Sequence, residues 1–162
     1  MIRYFSIGAI MKHKILTTAV VAVALLCSPA MADVKEDTIK GMEEYLDFVD
    51  YGGATIFPAQ IPKDEWKKFY VIDARDKDQF AKEHIPGAVN IEWRQVLNKR
   101  EDIPKNKPVI IYCNTGSLSA QGGFALRVAG YDNVRILQGG YAEWKAQGGF
   151  DASTKATKPT KH

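Results

Sequence analysis

The sequence predicts an α/β fold: a mainly parallel β-sheet with helices on both faces. Two observations carry the expectation. Short β-branched apolar runs recur at Tyr70–Ile72, Val89–Ile91, Val109–Tyr112 and Val134–Leu137, each bounded by turn residues, as in strands buried on both faces. Between them lie helical stretches at about 77–83, 93–99, 118–129 and 140–147, and alternation of strand with helix brings successive strands parallel.

Taken in order, the chain divides into four segments. From Met11 the sequence runs MKHKILTTAVVAVALLCSPAMADV, with Lys12 and Lys14, an uncharged run to Cys27, and Ala30-Met31-Ala32 ahead of Asp33. That order predicts a removed signal peptide over 1–32. The apolar run is shorter than the roughly 20 residues that span a bilayer, so no membrane anchor is expected after cleavage. Residues 33–62 read as an N-terminal helix and extension. Ile39, Met42, Leu46 and Val49 recur at helical spacing over 35–49, Gly52-Gly53 stops the helix, and ATIFPAQIPKDEW follows as a short extended stretch and a turn. The main domain is placed at 63–150. The last segment, DASTKATKPTKH at 151–162, lacks large apolar residues and is expected to be a disordered tail.

Losing the leader changes the charge and cysteine counts that bear on function. The full sequence carries 22 basic and 19 acidic side chains and two cysteines. Arg3, Lys12, Lys14 and Cys27 all lie in 1–32, so the mature chain is formally neutral and keeps only Cys113. Nucleic acid is therefore not an expected partner. An internal disulfide is excluded, and an unpaired exported thiol is either buried and inert or kept for reactivity.

The surroundings of Cys113 favour reactivity. It follows the run VIIY, where a parallel sheet presents the carboxyl ends of its strands, and precedes the small residues Asn114, Thr115, Gly116 and Ser117. A helix expected to start within 117–120, with Ser117 or Ser119 as N-cap, adds unsatisfied N–H groups and a positive dipole end. Gly116 can take a positive φ, which lets the loop curl its amides inward as an anion nest. A sulfur at the centre of that nest is favoured as thiolate and needs no neighbouring base. The pair Gly122-Gly123 fits a close approach to the sheet or an irregularity in the helix.

Three motifs, YVIDARDKDQFAKEHIPGAVNIEW at 70–93, PVIIYCNTGSLSA at 108–120 and AGYDNVRILQGGYAEWKAQGG at 129–149, resemble the rhodanese family in order. With the leader, the chain is similar to single-domain periplasmic rhodaneses. The resemblance implies a three-layer α/β/α sandwich with about five strands and sulfurtransferase chemistry in the periplasm. Cys113 matches the family's catalytic cysteine, and Asn114, Thr115, Gly116, Ser117, Leu118 and Ser119 match the loop that cradles its persulfide. Small sulfur-containing anions or persulfides are the implied partners, with a protein as a further sulfur acceptor, and no cofactor or metal is implied. Many members have arginine where this chain has Leu118, which removes a cation that would attract a dianionic donor.

The remaining motif residues are read as structural first. Asp73 is expected to fix loop hydrogen bonds, Arg75 to form an ion pair and His84 to stabilise a turn, while Arg94 follows a strand end where it could attract an anion. Trp93, Tyr141 and Trp144 are expected in the core or as a lid. A phosphatase or arsenate reductase loop would need arginine at position 119, which is serine, and a dithiol oxidoreductase would need a second cysteine. A non-catalytic binding module on the same fold is the alternative reading.

Overall fold

The structure is a computed structural model and describes residues 29–151. The expected leader over 1–32 and tail over 151–162 thus lie almost wholly outside the described residues. Helix α1 covers Pro29–Phe48, followed by β1 (Thr55–Ile56), β2 (Tyr70–Asp73), α2 (Lys77–Lys82), β3 (Val89–Asn90), β4 (Val109–Tyr112), α3 (Ser117–Val128), β5 (Val134–Leu137) and α4 (Gly140–Ala146). The five strands form one sheet in the order β1-β5-β4-β2-β3, and every pairing is parallel. No described helix is long and apolar enough to cross a membrane.

The sheet is apolar on both faces because alternate residues point to opposite sides. Ile72, Val109, Ile111, Val134 and Ile136 join Leu126 of α3 in one core. Val71, Ile110, Tyr112 and Leu137 join Tyr141 and Trp144 of α4 in the other. The predicted three-layer arrangement follows. Gly122 and Gly123 serve the first layer: a Cβ on Gly123 would lie 2.8 Å from Ile136 Cγ1, and one on Gly122 would lie 3.3 Å from Ile111 Cδ1. Their absent side chains let α3 lie close on the sheet.

Four expectations are corrected. No α-helix forms over 93–99. Instead, 3-10 turns at Trp93–Gln95 and Arg100–Asp102 are joined by irregular turns. The stretch is closed by three-residue bonds, Gln95 N–H to the Glu92 carbonyl and Arg100 N–H to the Leu97 carbonyl, around one four-residue bond from Lys99 N–H to the Gln95 carbonyl. In the predicted stripe of α1, Met42 and Leu46 are exposed, Leu46 at 64%, and only Val49 is half-buried. The inner face of its C-terminal half is set by Tyr45, edge-on to Phe124 at 5.1 Å, and by Gly41 against Val128. Neither serine caps α3; Gly116 does, at φ 105°. Lastly, the boundary at 63 falls inside the sheet-bearing unit, since β1 pairs with β5 and Ile61 is buried.

Candidate active site

Cys113 stands one residue past β4, at the centre of the sheet, where the backbone leaves the ladder and turns back into α3. Its residue is only 2% exposed. The left-handed Gly116 makes the turn possible and aims its own N–H at Cys113 Sγ, 3.2 Å away. The buried Ser119 hydroxyl lies 3.6 Å from the same sulfur and 3.0 Å from the Gly116 carbonyl. Burial pushes the Cys113 thiol up, but hydrogen bonds from the Ser119 amide and hydroxyl and from the Thr115 and Gly116 amides outweigh it. The net effect holds the thiol below its ordinary range, which eases its ionisation, and among the described residues no basic side chain donates to it.

The named loop residues divide by role. Thr115, Gly116 and Ser119 face the sulfur, whereas Ser117 and Leu118 open α3 at the surface, with Leu118 38% exposed. The Asn114 side chain is anchored away from the thiol: its amide donates to Gln79 Oε1 at 2.7 Å, and its oxygen accepts from Arg75 Nη1 at 3.3 Å.

Beneath the loop lies a buried polar cluster. Arg75 donates to both carboxylate oxygens of Asp73 through Nε and Nη2, the latter at 2.7 Å, and to the Glu83 carbonyl at 2.7 Å. Its guanidinium also sits 4.5 Å from the Tyr141 ring centroid. Asp73 Oδ1 also accepts the Arg75 backbone N–H at 3.0 Å. His84 is engaged with α2, its Nδ1 2.8 Å from the Phe80 carbonyl and its ring stacked on Phe80. Arg94 is exposed and paired with Glu92 at 3.0 Å. Lys145 pairs likewise with Glu83 at 2.7 Å.

Sequence reading missed three contributors: Tyr112, Gln79 and the start of α4. Tyr112 is hidden in an apolar run, and its hydroxyl is joined to Asp73 across 39 positions. Gln79 reaches Asn114 across 35 positions. The start of α4 had a local signal in Gln138-Gly139-Gly140, two glycines after a strand, both with positive φ.

Fold and site together define a parallel α/β sandwich whose central strand ends in a cysteine ringed by backbone donors. Residues 56–147 match the Rhodanese-like domain, and the chain belongs to that family. It is 34% identical over 76 residues to "Thiosulfate sulfurtransferase GlpE" of Coxiella burnetii, covering 47% of this chain and 71% of that protein. It is 33% identical over 79 residues to "Uncharacterized protein YqhL" of Bacillus subtilis, covering 49% of this chain and 63% of that one. A similar match to "Adenylyltransferase and sulfurtransferase UBA4" of Meyerozyma guilliermondii spans only 20% of that protein. Among solved structures, a rhodanese-related protein from Thermoplasma volcanium superposes with TM-score 0.54 at 23% identity, over 59% of this chain and 93% of that one, a likeness of fold.

Proposed function

We propose that the protein is a periplasmic sulfurtransferase that carries a sulfane sulfur on Cys113. One arrangement carries this reading: the Gly116 amide at 3.2 Å and the Ser119 hydroxyl at 3.6 Å face Sγ, the Thr115 and Ser119 amides add to the pull that lowers its pKa, and no acid–base side chain is among them. Such a ring stabilises negative charge on the thiolate and then on the terminal sulfur of a persulfide. It does not supply the proton transfer that an acyl-transfer nucleophile requires. Sulfurtransferase names among the relatives support the same reading.

With thiosulfate as donor, the Cys113 thiolate attacks the outer sulfur, a new S–S bond forms, and the old S–S bond breaks to release sulfite with its electron pair. A thiophilic acceptor such as cyanide or a thiolate then takes the terminal sulfur and returns the thiolate. Neither step consumes an oxidant, reductant or cofactor. Arg75, Arg94 and Lys145 already face carboxylates at 2.7–3.0 Å, and Leu118 is apolar. This favours donors of lower charge than thiosulfate, namely organic polysulfides or the persulfide of a small thiol or a protein.

The mature protein incubated with polysulfide or thiosulfate should gain the mass of one sulfur atom, lose it to cyanide, and gain none as Cys113→Ser. If no sulfane donor loads Cys113, the reading fails in favour of a non-catalytic binding module.

A further inference from the structure

We propose that the first turn of α4 sets the direction of the amides facing Cys113, with Gly140 and the Ala142 N–H as the positioning groups. The loop between β4 and α3 is held from outside as well as by its own turn. Tyr141 N–H donates to the Cys113 carbonyl at 2.8 Å, and Ala142 N–H donates to the Asn114 carbonyl at 2.9 Å. Within a planar trans peptide, C=O and the following N–H point in opposite directions. Drawing the Asn114 carbonyl toward α4 therefore turns the Thr115 N–H to the other side, toward Cys113, where that amide helps hold the thiol below its ordinary range.

Gly140 makes this approach possible. It adopts φ 60°, and a Cβ there would lie 2.5 Å from the Cys113 carbonyl oxygen and 2.8 Å from the Asn114 carbonyl carbon and oxygen. No side chain fits without pushing the helix and the loop apart. Ala142 costs α4 nothing by donating outward, because the first bond back along this helix is Glu143 N–H to the Gly139 carbonyl.

The inference rests on Cys113 as the reactive thiol but not on what that thiol transfers. Its test therefore reads the thiolate rather than sulfur transfer. Gly140→Ala restores a Cβ, and Ala142→Pro removes one N–H at a first-turn position with no intrahelical bond to lose. Cys113 would be titrated by thiolate absorbance, with circular dichroism confirming the fold. Both folded variants should titrate nearer the ordinary thiol range and react with iodoacetamide at neutral pH about tenfold more slowly, the size of one lost hydrogen bond to a charged group. Folded variants that keep the parent titration and rate would overturn the proposal. If neither variant folds, amide exchange in the parent decides: protection of Ala142 N–H comparable to β4 supports it, and exchange at the rate of a free amide overturns it.

Discussion

The Tyr112 hydroxyl donates to Asp73 Oδ2 at 2.7 Å and at the same time accepts the Ile85 N–H at 3.0 Å. One phenol thus joins the carboxylate that neutralises Arg75 to the chain after α2. All three groups are buried, so the cluster has no water to replace a lost partner. Tyr112→Phe leaves the Ile85 N–H without its acceptor and should cost roughly 1–3 kcal/mol of stability. Asp73→Asn leaves the Arg75 charge unneutralised and should cost more, about 3–5 kcal/mol. Denaturant unfolding would measure both, and equal losses would show that the Arg75 charge finds relief elsewhere.

Ser119 acts on the sulfur directly. Its hydroxyl is fully buried and is the only side-chain donor to Cys113 Sγ among the described residues. Ser119→Ala keeps the helix and removes that donor, so alkylation of Cys113 at neutral pH should slow by about tenfold with little change in unfolding midpoint. An unaltered rate would leave the amides as sole support of the anion.

Stability should depend on pH through Cys113. Its folded pKa is depressed below the ordinary 9.0, because the Ser119, Thr115 and Gly116 donors outweigh burial. The resulting stabilisation is full above the unfolded value and is lost as pH falls through the folded one. Between the two values the unfolded chain binds the extra proton, and stability rises with pH. The Cys113→Ser chain lacks this slope. Thermal unfolding of both chains across mildly alkaline pH tests the sign, and parallel curves would refute the depressed pKa.

Leu118 offers a donor only apolar contact at the surface above the loop. Leu118→Arg introduces an unpaired cation capable of a paired contact with an oxyanion. KM for thiosulfate should fall severalfold while KM for a neutral-ended organic polysulfide stays level. A KM unchanged for both donors would mean that position 118 does not face them.

What could be foreseen follows the range of the interactions. The strands at β2, β4 and β5 depend on local β-branched runs, and the left-handed turn at Gly116 depends on one residue type, so both were legible. Cys113 could be placed at a strand end for the same reason. The segment 93–99 was misread because its apolar spacing fits a helix, whereas the chain there is turned by three-residue bonds such as Arg100 N–H to the Leu97 carbonyl, which periodicity does not reveal. The α1 stripe was misread because the inner face is chosen by what α3 offers, the Phe124 ring against Tyr45 and the Val128 side chain over Gly41. The cluster of Tyr112 with Asp73 and the hold of α4 on the loop are likewise long-range, and only the paired glycines at 139–140 hinted at the latter.

The sheet order also bears on how the molecule meets its neighbours. Its two rims are β1 and β3, each only two residues long. A rim so brief exposes too few backbone groups to template an incoming extended chain, while the four-residue strands β2, β4 and β5 are shielded between them. The arrangement that centres the cysteine thus also leaves the sheet without a long open edge on which a second copy could pair.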